Sequence, residues 1–278
     1  IPVFGTLDMT LAGTARALAG TEIASGAALR YRLSDAAAPA RTDLGVTLSH
    51  RGYVLSDAAR RIAPDARGAD FALTTLRGAL VRRGTAGGRP FVLGFGAGKA
   101  RYGGADHSRF ADLRLTWRLA AGTRGAVDAT VALRRQDALS PRTADADRAQ
   151  LRLSWSRRVA GGAGLAIWVD ATRSTSAAAT LDYRGATVGA RLSLPRPVLG
   201  MTLSVAGDLG ARAYDRGPVS GQGRHDREAG ASVTAGLPAL ALYGFVPTLT
   251  VAARRTDSDF GQYDADSLAL RLGLRSAF

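Results

Sequence analysis

The chain has 278 residues, 46% of them apolar and 22% charged, with no cysteine and a formal charge of +14 that is almost wholly arginine, Lys99 being the sole lysine. That balance excludes a disordered chain, a disulfide framework and a cysteine metal site, and no apolar run reaches the roughly eighteen residues that a membrane-spanning helix needs. Any membrane crossing must therefore use strands, and so large a basic surplus calls for an anionic counterpart.

Apolar and polar residues alternate with a period of two in segments at residues 3 to 11, 24 to 34, 42 to 53, 69 to 82, 90 to 101, 108 to 119, 124 to 135, 147 to 158, 163 to 173, 183 to 194, 200 to 213, 227 to 237, 243 to 255 and 265 to 277. Leu113, Leu115 and Trp117 alternate with Asp112, Arg114 and Thr116, and Leu151, Leu153 and Trp155 with Arg152, Ser154 and Ser156. Leu268, Leu270, Leu272 and Leu274 make the clearest case, against Ala269, Arg271, Gly273 and Arg275. The fourth segment is the poorest: Phe71 and Leu73 are out of phase with Leu76 and Leu80, which predicts a bulge or a wrong boundary. No segment reads as a helix.

The total is about fourteen strands, an even number as bacterial single-chain barrels require, and their length of about eleven residues suits a tilted bilayer crossing. Connections near Gly84 to Gly88, Ala120 to Thr123, Val159 to Gly162, Pro195 to Val198 and Leu237 to Leu240 are short, and the intervening ones are longer and polar. Aromatics sort to the strand ends. Phe4, Tyr31, Phe91, Trp117, Trp155, Tyr243, Phe245 and Phe278 fall at the short-turn end, and Tyr53, Phe71, Tyr102, Phe110, Tyr183, Tyr214, Phe260 and Tyr263 at the other, which reads as two interfacial girdles. The expected fold is all-β: a transmembrane antiparallel up-and-down β-barrel of about fourteen strands, residues 1–278 forming one domain. The expected location is the outer membrane of a Gram-negative bacterium, with both termini periplasmic and membrane lipids around the wall.

With the apolar face toward lipid, the interior receives Arg30, Arg32, Arg114, Arg118, Arg134, Arg152, Arg191, Arg212, Arg254, Arg271 and Arg275, with Asp8, Asp112, Asp128, Asp170 and Asp208 as candidate partners. Arginine and aspartate on neighbouring strands would brace the wall, and the arginine surplus would favour anions or acidic peptide segments. His50, His107 and His225 lack metal-ligand spacing, and adjacent His107 and Ser108 point to opposite strand faces, so neither a metal site nor a catalytic pair is expected. The arginines are spread over many strands rather than clustered among aromatics, which disfavours nucleic-acid binding. No cofactor site and no enzymatic activity are expected.

Arg271, Gly273, Leu274 and the terminal Phe278 resemble the signal by which the barrel assembly machinery selects its clients. The longer tail is Asp226, Arg227 and Glu228, then Tyr243, Gly244, Phe245 and Pro247, then Ser258, Tyr263 and Asp264. It resembles the C-terminal barrel of the surface lipoprotein assembly modifier family over about the last fifty residues. The resemblance implies a role in moving surface lipoproteins or secreted proteins to the cell exterior, with such cargo as partner. It also implies an N-terminal periplasmic helical-repeat domain, which this chain does not contain. The alternative is a passive anion-preferring porin or a structural barrel subunit of a larger membrane complex.

Overall fold

The structure is a computed structural model that describes residues 4–14, 20–34, 40–62, 64–65, 67–141, 143–178, 181–215, 223–242 and 244–276. Fourteen antiparallel strands run in chain order: β1 (Phe4–Thr14), β2 (Gly20–Arg32), β3 (Arg41–Leu55), β4 (Leu73–Ala86), β5 (Arg89–Tyr102), β6 (Ala105–Gly122), β7 (Gly125–Ala138), β8 (Ala146–Arg158), β9 (Gly164–Ser176), β10 (Tyr183–Ser193), β11 (Thr202–Tyr214), β12 (Arg224–Gly236), β13 (Phe245–Ser258) and β14 (Ala265–Ser276). Each pairs with its chain neighbours, and β1 pairs with β14 from Thr6↔Arg275 to Thr14↔Ser267, so the sheet closes into a barrel. Closure matters because an unpaired strand edge in hydrocarbon would leave backbone N–H and C=O groups without partners.

The alternation read from the sequence sets which face looks out. Leu29 is 60% exposed, Leu76 54%, Phe95 55% and Leu268 62%, while the buried positions include Asp43, Ser108, Asp170, Ser174, Arg224 and Asp226. Polar groups are thus buried and large apolar groups exposed, the inverse of a soluble barrel and the polarity that lipid demands.

The chain turns tightly where glycine pairs allow it. Gly87 and Gly88, and Gly103 and Gly104, carry positive φ at both positions, the geometry of a two-residue hairpin turn whose twist matches the strands. The second pair joins β5 to β6 at the long-loop end, where a longer connection was expected. Strands β3, β7, β9, β11 and β13 end at that same edge, and β1 begins and β14 ends at the opposite one.

Three further expectations change. The fourth strand starts at Leu73 rather than at residue 69, because Gly68–Phe71 forms a one-turn 3₁₀ helix; the broken phase was a wrong boundary, and β4 pairs without a register shift. A short helix, α1 (Asp57–Ile62), occupies the loop before it, where no helix was read. The third concerns the aromatics at the long-loop end. Tyr53, Tyr102, Phe110, Tyr183 and Tyr214 have the inward phase of their strands, and Phe110, Tyr183 and Tyr214 are buried. They do not form a lipid-facing girdle. At the short-turn end Tyr31, Phe91, Trp117, Trp155 and Phe245 do have the outward phase, Tyr31 being 41% and Trp117 38% exposed. The side chain of Phe4, and Tyr243 and Phe278 entirely, lie outside what is described.

Val169 lies at the middle of β9 on the outward face, 53% exposed, and its neighbour Asp170 faces in. Val169→Arg should cost about 2–4 kcal/mol of folding free energy in phospholipid vesicles, whereas inward Thr172→Arg should cost about 1 kcal/mol or less. Urea titrations of refolding into vesicles read the difference.

Candidate functional site

Among the described residues, charged side chains from most of the strands converge on the inner wall. Arg30, Arg32, Arg114, Arg118, Arg134, Arg152, Arg191, Arg212, Arg254 and Arg271 all occupy the inward phase of their strands, opposite the exposed leucines and valines, as do Asp112, Asp128, Asp170 and Asp208. The backbone of Arg275 pairs with Thr6 and Val246, and that of Asp8 with Gly273 and Gly26, but their side chains lie outside what is described. Gly273 and Leu274 lie in β14, Leu274 facing out at 39% exposure, and Phe278 is not described.

Two ion pairs join adjacent strands at directly paired positions. Arg118 of β6 donates to Asp128 of β7 through Nε at 2.8 Å and Nη2 at 3.1 Å, and Arg152 of β8 donates to Asp170 of β9 through the same two atoms, both at 2.7 Å. Both are bidentate, the form in which a guanidinium and a carboxylate fix one another's orientation. Gln150 adds a third donor to Asp170 at 3.3 Å.

Two other pairs reach over an intervening strand. Arg77 of β4 donates to Asp112 of β6 at 2.5 Å, crossing β5 at Gly96, and Arg254 of β13 donates to Asp208 of β11 at 3.0 Å, crossing β12 at Gly230. A Cβ at Gly96 would lie 2.7 Å from Asp112 Oδ2, and one at Gly230 2.8 Å from Asp208 Oδ1, so each pair lies directly over a bare strand. Arg254 also donates to Glu228 at 3.0 Å, and Arg212 pairs with the other oxygen of Glu228 at 2.9 Å, linking β11, β12 and β13. Near the short-turn end Asp43, almost fully buried, pairs with both Arg41 and Arg83.

Aromatic rings hold other guanidinium groups. Arg134 lies 3.9 Å over buried Phe110, whose own ring fills the space above Gly98. Trp168, alone among the three tryptophans in facing inward, lies over Gly189 and within 5.8 Å of Arg152. Arg224 is sandwiched between Tyr214 at 3.6 Å and Tyr263 at 3.8 Å and pairs with Asp226 at 3.1 Å. Asp226 accepts the Ser258 hydroxyl at 2.6 Å, and Asp264 accepts the Ser258 amide at 2.8 Å. Four of the tail residues behind the family resemblance, Asp226, Ser258, Tyr263 and Asp264, thus form one clasp across β12, β13 and the following loop.

Each inward-facing carboxylate among the described strand residues, namely Asp43, Asp112, Asp128, Asp170, Asp208, Asp226 and Glu228, holds at least one arginine. Arg30, Arg32, Arg114, Arg148 and Arg191 hold no carboxylate among the described residues. Several inner arginines are also accessible: Arg118 keeps 37%, Arg152 38% and Arg254 48% of its side-chain surface. The interior is therefore a reachable, basic surface rather than a packed core.

Sequence reasoning missed Arg77, Arg148, Arg41, Arg83, Asp43 and Glu228. Arg148, Asp43 and Glu228 were legible as members of the inward phase of their strands, whereas Arg41 and Arg83 lay just outside the predicted segments and Arg77 fell in the segment whose phase was broken. The bulge at Ala100/Arg101 leaves His107 as the extra residue of β6, so strict alternation does not govern His107 and Ser108. Ser108 is buried, His107 stacks against Tyr102 at 5.5 Å, and no hydrogen bond joins the two. His50 bonds Thr74 on the outer face at 2.8 Å, and His225 bonds Asp259. Among the described residues no cluster of His, Cys, Asp or Glu could hold a metal ion.

No protein-family model matches the chain, and no curated protein matches it. Solved structures do. A loop-deletion variant of OmpT, an outer membrane protein of Vibrio cholerae, superposes with a TM-score of 0.51 at 8% identity, over 98% of this chain and 97% of that one. OccK10 (OpdN) of Pseudomonas aeruginosa superposes with a TM-score of 0.51 at 12% identity, over 99% of each chain. At such identities the likeness is one of fold.

Two outcomes follow from this geometry. At Gly98 an added Cβ would strike the Leu76 carbonyl, which is backbone and cannot swing away, whereas at Gly230 it meets only the movable ends of Asp208 and Arg254. Gly98→Ala should therefore cost about 1–3 kcal/mol and Gly230→Ala less than about 1 kcal/mol, measured by urea unfolding from vesicles. In the loop after β13, Asp259 accepts the His225 backbone N–H at 2.9 Å, which, with the His225 ring, holds its carboxyl below the ordinary value of 3.8. A depressed carboxylate contributes stability above its unfolded pKa and loses it as pH falls through the folded one. The His225 amide should thus keep its hydrogen-exchange protection down through pH 3.8 and lose it only below, and Asp259→Asn should weaken it at neutral pH.

Proposed function

We propose that the chain is an outer-membrane channel whose lumen prefers anions. The observation that carries this reading is the charge balance of the inner wall: its described strand carboxylates are all engaged by arginine, and Arg30, Arg114, Arg148 and Arg191 are left over in accessible space. Fixed charge of one sign along a lumen raises the local concentration of the opposite ion. Placement in the outer membrane is supported by the exposed apolar band and by the fold shared with an outer membrane protein of Vibrio cholerae. Insertion by the barrel assembly machinery through Arg271, Gly273, Leu274 and Phe278, and periplasmic placement of both ends, belong to the same reading.

Transport of a surface lipoprotein is the second reading, and the tail residues from Asp226 to Asp264 favour it. Its weight is lessened because Asp226, Ser258, Tyr263 and Asp264 are engaged in holding the last strands together, a role that any barrel could require.

Single-channel recording in a planar bilayer under a salt gradient decides between them. An arginine roughly 8 Å from a passing ion in water attracts an anion by about 0.5 kcal/mol and repels a cation by as much, about a sixfold change in their ratio. Arg114→Ala and Arg148→Ala should each reduce the anion-to-cation permeability ratio by about that factor. A barrel that conducts only when cargo or a periplasmic partner is added would overturn the channel reading in favour of transport.

A further inference from the structure

The outward wall ends differently at its two edges. At the short-turn edge it ends in aromatic rings, as described above. At the long-loop edge it ends in charge, most of it paired: Lys99 with Asp106 at 2.7 Å, Arg109 with Asp137 at 3.0 Å, Arg135 with Asp147 at 3.1 Å and Arg255 with Asp257 at 2.8 Å.

Arg184 and Arg227 break this pattern. Arg184 shares the outward phase of Val188 on β10, and Arg227 that of Val233 on β12; both are exposed and neither is in ion-pair contact with a carboxylate among the described residues, Asp257, in register with Arg227, being held by Arg255. Arg184 is paired in register with Arg173 of β9, but Asp182 at 3.3 Å and Asp215 at 3.2 Å are both taken by Arg173 and leave Arg184 without a counter-charge. Between the two free arginines β11 presents only methyl groups, Ala213 opposite Arg184 and Ala211 opposite Arg227. Two strand spacings and a two-residue offset along β11 separate their backbones by about 12 Å, within reach of two extended guanidinium arms meeting at one phosphate.

Toward the middle of the membrane the wall beneath them is hollowed. Ala190, Ala229, Ala231 and Ala253 stand where other strands carry leucine, and with Val188 and Leu209 they line a groove of about 660 Å³ that has Arg255 and its neighbour Asp266 at its rim. An apolar channel that opens on the lipid side and leads up to unpaired cations has the chemistry of a lipid tail and its headgroup.

We propose that the outward wall from β10 to β13 binds a phosphate-bearing membrane lipid, the phosphate between Arg184 and Arg227 and an acyl chain along the alanine groove. The proposal rests on the outward face being the lipid-facing one. Phosphate suits the site because a guanidinium binds its oxygens in a planar, bidentate fashion, and because the surrounding belt has already matched its own carboxylates.

The test is native mass spectrometry of the full chain in detergent with diphosphorylated lipid A and with the same lipid after removal of its phosphates. The phosphorylated form should bind, and the dephosphorylated form should bind about tenfold more weakly. The R184Q/R227Q double variant should lose about tenfold toward the phosphorylated lipid, and A231W, which fills the groove and leaves both arginines in place, should lower it as well. Equal binding of the two lipid forms, or binding unchanged in R184Q/R227Q, overturns the proposal. Folding of each protein is followed separately by heat-dependent electrophoretic mobility in vesicles. A wild-type chain that fails to insert there would refute the membrane reading itself, a result distinct from loss of lipid selectivity in an inserted barrel.

Discussion

Everything in this molecule depends on one requirement, that a backbone placed in hydrocarbon must satisfy its own hydrogen bonds. The pairing of β1 with β14 meets it by removing the sheet edge, and once the sheet is closed every second residue is committed outward and its neighbours inward. Apolar residues then have to take the outer phase, because a charge there would cost several kcal/mol near the mid-plane. The polar residues are left with the interior by exclusion. The arginine-rich lumen is thus the complement of the greasy wall, and its chemistry is set by which polar residues the inward phase carries.

Inside, guanidinium groups must be hydrated, paired or stacked, and the structure uses all three. Arg118 and Arg152 are paired with neighbours, Arg134 and Arg224 lie on rings, and Arg114 and Arg191 stand in accessible space. Small residues make this possible. Gly94, Gly96 and Gly98 give β5 an inner face with almost no side chain, so that groups from β4 and β6 can meet above it. A residue with no side chain here does as much for the electrostatics as the charged residues it separates.

The fold was legible because period-two patterning is a local signal: Leu268 to Leu274 betrays its strand without reference to any other part of the chain. The start of β4 was misread because Phe71 is apolar yet belongs to a 3₁₀ turn, and pattern alone cannot separate an apolar turn from a strand end. The aromatics at the long-loop end were placed at the correct level and assigned to the wrong face, although the phase of Phe110 and Tyr214 was there to be counted. Neighbouring-strand pairs such as Arg118 with Asp128 follow from hairpin register. Strand-skipping pairs do not, since Arg77 and Asp112 meet only because of a glycine on a third strand, a three-body coincidence to which no one-dimensional pattern points.

Those strand-skipping pairs also change what counts as a building unit. A barrel held only by adjacent strands could in principle gain or lose hairpins, because each two-strand unit brings its own contacts. Here β4, β5 and β6 share one electrostatic bond, as do β11, β12 and β13. Cutting between β5 and β6 would strand Arg77 opposite nothing, and excising the β12–β13 hairpin would leave Asp208 as an unmatched carboxylate within the wall. The circumference of this barrel is therefore fastened in triplets, and fourteen strands is a number it cannot easily change by twos at those two places.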